Sequence, residues 1–161
     1  MANISVLMVC HGNICRSTMA QQLLTQMVLS APEGSAVKRI TKVDSCGTSR
    51  EEIGNSPDPG TQKALKNHGY PPLEHTARQF DTKSDSQFDY IFVMDNANMR
   101  NVQRFLAGTG SKAKVEMLGS YDPQGQKVIS DPWAGSEKVF ENTYQHIHRS
   151  LENFLKTEFL N

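Results

Sequence analysis

Val9-Cys10-His11-Gly12-Asn13-Ile14-Cys15-Arg16-Ser17-Thr18 separates an apolar run from an amphipathic one, and its reading decides the fold. Ile4 to Val9 predicts a short buried strand. From Ser17 to Leu29, Met19, Ala20, Leu23, Leu24, Met27 and Val28 recur at helical spacing and predict a helix. The loop thus joins a strand to a helix N-terminus, where successive backbone N–H groups converge on an anion and the helix dipole adds favourable potential. Gly12 lets the backbone approach an anion closely, and Asn13 tolerates a left-handed conformation in a tight turn. A cation at the start of a helix is unfavourable unless an anion neutralises the site, so Arg16, whose planar fork matches the edge of a tetrahedral oxyanion, points to phosphate. The same N–H groups and Arg16 would stabilise a thiolate at Cys10, making it a nucleophile at neutral pH. Ser17 can donate a hydrogen bond to the sulfur and ease its later departure. The chemistry implied is phosphoryl transfer onto sulfur, with phosphate and other oxyanions as ligands.

The rest of the chain fits one domain, residues 1–161, long enough for a single core. Seventeen basic and seventeen acidic residues cancel, so nothing calls for nucleic acid or an anionic membrane as a partner. The first apolar run is too short for a signal core, and no segment approaches the roughly 20 apolar residues of a membrane span. Three cysteines, Cys10, Cys15 and Cys46, form no disulfide framework and suit a reducing, cytoplasmic setting. Zinc at Cys10 and Cys15 lacks a further ligand pair at the usual spacing, and no cofactor or metal is called for.

Further along, Ile40–Asp44, Asp89–Met94 and Lys114–Leu118 read as strands. Asp58 and Pro59 cap a helix running from Thr61 to His68, and Asn96–Leu106 and Ser136–Phe159 read as two more. The stretches from Cys46 to Pro59 and from Ser120 to Gly135 read as long loops. Strands alternating with helices predict an α/β fold: a single-domain open parallel four-stranded sheet with helices on both faces and a phosphate loop between the first strand and first helix. Ligands of such sheets bind beyond the carboxyl ends of the strands, which is where the Cys10 loop, Asp95 and the Asp131 loop converge.

Cys10-His11-Gly12-Asn13-Ile14-Cys15-Arg16-Ser17, with the distant Asp131-Pro132, resembles the phosphate loop and acid of the low-molecular-weight protein tyrosine phosphatases. Val43-Asp44-Ser45, Ile53 to Asp58, His75-Thr76-Ala77-Arg78, Met94-Asp95 and Leu118 to Pro123 extend the resemblance over nearly the whole chain. The resemblance implies a metal-independent phosphatase acting on phosphotyrosine-containing proteins and aryl phosphates through a cysteinyl phosphate. In it Cys10 is the nucleophile, Arg16 the phosphate ligand and Asp131 the general acid. His11, Gly12, Asn13, Ile14, Cys15, Ser17 and Trp133 surround the substrate, while Ser45, His75 and Asp95 support the loop. Asp95 also reads as a helix cap. Cys15 either packs beneath the loop or captures oxidised Cys10 as a disulfide. Glu51 and Glu52 are expected opposite Trp133, where they would attract basic residues flanking the phosphotyrosine. His146 and His148 are expected at the surface or edge of the last helix.

The chain departs from the resemblance at His11, where relatives usually have an aliphatic residue, at Thr18, where they usually have proline, and at Ala134, where eukaryotic members often have a second aromatic. Two other functions share the scaffold or the ligand. A thiol-dependent arsenate reductase needs relay cysteines, and Cys46 alone lies outside the loop. An idle phosphotyrosine-binding module has no need to keep Cys10, Arg16, Ser17 and Asp131 together.

Overall fold

The computed structural model describes residues 2–160. Strand β1 (Ile4–Cys10) leads into α1 (Arg16–Ser30), followed by β2 (Ile40–Gly47), α2 (Pro59–Asn67) and the one-turn α3 (Thr82–Asp85). Then come β3 (Tyr90–Val93), α4 (Asn96–Leu106), β4 (Lys114–Met117) and α5 (Glu137–Phe159). All four strands are parallel in the order β2-β1-β3-β4, so the chain turns to opposite sides of β1 and opens a crevice at its carboxyl end.

Alternation along β1 and β3 divides the core into two layers. Val6, Met8, Phe92 and Met94 face α1 and α5, where they meet Met19, Leu23, Ile147, Leu151 and Phe154. Leu7, Val9, Ile91 and Val93 face the other side with Val102 of α4, Phe80 and Phe88. Strands buried on both faces explain the continuous apolar run of β1. Each fully buried large side chain stabilises the fold by about 1.5–3 kcal/mol. Phe154 is the centre of an aromatic cluster, edge-on to Phe92 at 4.8 Å and to Tyr121 at 5.3 Å. That cluster fixes α5 against both the sheet and the segment that leaves β4.

Sequence and structure differ mainly at element ends. The second strand runs on through Cys46 and Gly47, because parallel pairing with Val9 and Cys10 continues to the end of β1. Single 3-10 turns at Ala36–Arg39 and Leu118–Tyr121, and α3, occupy stretches not read as helical, and the second of them takes Leu118 from the end of the expected fourth strand. The α3 turn is capped by Asp81, whose side chain accepts from the Lys83 and Ser84 amides. Asp58 accepts from the Gly60 amide at 2.7 Å, with Pro59 opening α2 as expected.

Gly47 is where β2 meets the loop after β1. A Cβ there would lie 2.7 Å from the His11 carbonyl oxygen and 3.2 Å from the Gly12 carbonyl carbon. Both neighbours are backbone and cannot rotate away. Gly47→Ala is therefore expected to lower unfolding free energy by about 1–3 kcal/mol through overpacking, measured by urea denaturation. A change within about 0.5 kcal/mol would mean that the two segments are not locked together.

Candidate active site

Asn13 shapes the loop between β1 and α1. Its φ of 62° is left-handed, costly for a residue with a Cβ unless its surroundings hold it there. Its amide nitrogen donates to Ser17 Oγ and to Ser45 Oγ, both at 2.9 Å. Its Oδ1 accepts from the Arg78 backbone N–H at 3.1 Å and from His75 Nε2 at 2.8 Å. Both donors and both lone pairs of the side chain are thus occupied in a buried site. Because His75 donates through Nε2, that nitrogen carries the proton; burial lowers the ring's pKa from 6.5 and favours the neutral form, against the opposing pull of Asp44.

Cys10 closes the brace from above. Its Sγ lies 3.0 Å from Ser17 Oγ and accepts the Asn13 backbone N–H at 3.3 Å. Since Ser17 Oγ already accepts from Asn13, its own proton is free to point at the sulfur when Cys10 is a thiolate. Cys15 is different: burial, reinforced by the Asp58 carboxylate, pushes its thiol far above the ordinary range. Its carbonyl accepts from Thr18 Oγ1 at 3.0 Å and Thr61 Oγ1 at 3.1 Å, so Thr18 anchors the first helical turn in place of proline.

Arg16 is buried and aimed by fixed acceptors. One Nη donates to Asp95 Oδ2 at 2.8 Å and to the Ile129 carbonyl at 2.9 Å. Asp95 meanwhile caps α4, its Oδ1 accepting the Asn98 N–H at 2.8 Å, so both expected roles coexist. Burial pushes the Asp95 pKa up, but the Asn98 amide and Arg16 outweigh it and hold the carboxyl below the usual range. Arg16 Nε, by contrast, is buried with no partner among the described residues. None of the backbone amides of Gly12, Ile14, Cys15 and Arg16 donates to a protein acceptor among the described residues, and α1 has no side-chain N-cap. Unpaired donors at a helix N-terminus, in a pocket shared with Cys10 and the Arg16 guanidinium, can accommodate a tetrahedral oxyanion.

Above this nest is a cavity of about 160 Å³ lined by Cys10, Ile14, Arg16, Asp131, Trp133 and the rim residues His11, Glu51 and Glu52. Asp131 Oδ2 is 3.9 Å from Arg16 Nη2, and its Oδ1 accepts the Trp133 N–H at 3.1 Å. Trp133 is 64 % exposed, leaving a ring face open to a ligand. The residues singled out in the sequence therefore lie together, in the pocket or in the brace beneath it. Residue types alone assign no role to the Arg78 amide, the Gln21 contact with Ser45, or the Ile129 carbonyl. Backbone groups leave no residue-type signal.

The family model described as low molecular weight phosphotyrosine protein phosphatase matches residues 5–160. This chain belongs to that family. It is 42 % identical over 156 residues to the human low molecular weight phosphotyrosine protein phosphatase, covering 96 % of each. The Schizosaccharomyces pombe protein of the same description is 41 % identical over 156 residues, 96 % of this chain and 97 % of the relative. A crystal structure described as drosophila arginine phosphatase superposes with a TM-score of 0.83 at 33 % identity, covering 94 % of this chain and 96 % of that one. As a member of the family the chain is a cysteine-dependent hydrolase with the fold those structures share.

Two rim residues are more constrained than the sequence implies. Glu51 Oε2 lies 3.1 Å from His11 Nε2, and the Glu52 carboxylate accepts from Asn55 Nδ2 while its stem lies over Gly12. His75 yields a pH prediction. A folded-state pKa below the ordinary histidine value means that the unfolded chain binds the proton first as pH falls. The stability due to neutral His75 is complete above 6.5 and declines as pH drops toward the lowered value. The unfolding free-energy gap between the native chain and His75→Gln should therefore shrink on acidification; a gap independent of pH would show that His75 is not held neutral.

Proposed function

We propose that this chain hydrolyses phosphotyrosine in proteins, and related aryl phosphates, through a phosphoryl group carried on Cys10. The observation that supports this most is the buried, unpartnered Arg16 Nε together with the unpaired loop amides, in residues that line one pocket with Cys10. Cys10 thiolate attacks phosphorus in line, forming the P–S bond as the P–O bond to the aryl group breaks. Loop amides and Arg16 hold the equatorial oxygens and the charge that grows on them. Asp131 gives its proton to the departing phenolate. Its carboxylate then takes a proton from water as the water oxygen attacks phosphorus and the P–S bond breaks, with the Ser17 hydroxyl stabilising the released thiolate. The site supplies nucleophile, charge stabilisation and acid from its own side chains.

Ile14 and Trp133 form apolar walls that favour a flat ring over a phosphoserine stem. The acidic rim favours basic residues beside the phosphotyrosine, but only weakly. His11 offsets Glu51, and exposed ion pairs contribute about 0–1 kcal/mol and are screened by salt. Three free cysteines, one of them a nucleophile, suit a reducing compartment such as the cytoplasm, and no helix among the described residues is long and apolar enough to cross a membrane.

The test is kcat/KM over peptides carrying phosphotyrosine, phosphoserine or phosphoarginine, together with aryl phosphates of graded leaving-group pKa, in the presence of a chelator. Phosphotyrosine peptides should be turned over fastest, and Cys10→Ser should not exceed background. Asp131→Ala should lose about 10²- to 10⁴-fold on poor leaving groups and much less on activated ones. Preference for phosphoarginine, or equal losses across the series, would overturn the substrate or the acid respectively.

A further inference from the structure

The α5 helix carries a buried polar cluster that the reaction itself does not use. Arg149 Nε donates to Asp122 Oδ1 at 2.8 Å and its Nη2 to Oδ2 at 3.1 Å, while the Asp122 side chain is wholly buried. The Gln124 and Gln126 amides donate to the same carboxylate at 2.9 and 3.2 Å. His146, expected at the surface or edge of the helix, is instead 5 % exposed; the helical turn that buries Ile147 also turns His146 inward onto the loop. Its Nε2 lies 2.6 Å from the Gln126 carbonyl oxygen, to which it donates, and 3.2 Å from Asp122 Oδ2. His148, also expected at the surface or edge, does lie there, its side chain 28 % exposed and paired with Glu152.

What this cluster holds is the segment leading to the acid. Gly119 packs so closely beneath it that a Cβ would lie 2.1 Å from the Lys127 carbonyl oxygen, which leaves the loop no room to sink. Two residues on, Ile129 donates its N–H to the Met94 carbonyl at 2.9 Å and offers its own carbonyl to Arg16. Asp131 follows two residues later, half-exposed at the pocket, and its contacts among the described residues are Arg16 Nη2 at 3.9 Å and the Trp133 N–H at 3.1 Å.

We propose that His146 and Arg149 of α5 are positioning residues for Asp131: through Asp122 and the Gln126 carbonyl they clamp residues 122–131, so that the acid reaches the leaving oxygen. The proposal rests on Asp131 being the acid. An acid misplaced by about 1 Å can cost on the order of 10²-fold, whereas the phosphate nest, in the loop between β1 and α1, keeps its own brace through Asn13. Loss of the clamp should therefore mimic loss of the acid.

The test measures kcat/KM, which reports steps through leaving-group departure, across the aryl phosphate series for His146→Leu, His146→Gln, Arg149→Met and Asp131→Ala. It adds the double variant His146→Leu with Asp131→Ala and uses inorganic phosphate as a competitive inhibitor. His146→Leu should lose about ten- to a hundredfold on poor leaving groups but under about threefold on activated ones, with phosphate inhibition nearly unchanged. Glutamine can donate to the Gln126 carbonyl, so His146→Gln should recover most of the loss. In the Asp131→Ala background the His146→Leu effect should nearly vanish, because there is no acid left to place. Equal losses for all leaving groups, or an undiminished loss in the double variant, would overturn the proposal. If His146→Leu does not fold, Arg149→Met replaces it throughout, alone and with Asp131→Ala, and the same outcomes support or overturn the clamp. An unchanged leaving-group dependence in Asp131→Ala itself would instead remove the acid, and the positioning role with it.

Discussion

Asn13 in a left-handed conformation is the constraint on which the site depends. Its φ turns the loop so that the amides of Gly12, Ile14, Cys15 and Arg16 stay free of acceptors among the described residues, and four hydrogen bonds with Ser17, Ser45, His75 and Arg78 hold it there. A lone left-handed residue costs on the order of 1–3 kcal/mol, and about 1 kcal/mol per net hydrogen bond is enough to offset it. A loop preset in this way needs no reorganisation when charge develops on the transferring group. Arg78, in turn, is fixed to Asp44 on β2 and Asp85 on α3, and so connects the loop to the sheet.

Charge is arranged around that loop by burial as much as by contact. Cys15 and Cys46 are pushed upward by desolvation, which leaves them poor thiolates, while Cys10 Sγ accepts the Asn13 backbone N–H and lies 3.0 Å from Ser17 Oγ. Arg16 has one edge committed to Asp95 and Ile129 and the other free. The committed edge orients the free one.

Most of the architecture is legible in the sequence because its signals are periodic or covalent in origin. The apolar run of β1, the helical spacing in α1 and α5, and the caps at Asp58 and Asp95 all fall where the structure has them. The end of β2 is hidden because the Gly, Ser, Asn and Pro content from Cys46 to Pro59 reads as a loop, whereas pairing with β1 decides the matter. Within the site, Cys10, Arg16 and Asp131 can be found by residue type, but the Ile129 carbonyl and Arg78 amide cannot. His146 escapes the sequence for a different reason: a polar residue on an amphipathic helix reads as solvent-facing until the loop that covers it is known.

These features make one claim central: the preformed loop turns Cys10, and no other thiol, into the acceptor of the phosphoryl group. The most direct measurement is rapid acid quenching during turnover of a phosphotyrosine peptide, followed by mass spectrometry of the proteolysed protein. The account predicts one phosphoryl group on the peptide containing Cys10, accumulating before steady state and absent in Cys10→Ser. A phosphoryl group on Cys15 or Cys46, or release of phosphate with no modified cysteine at any time, would contradict it.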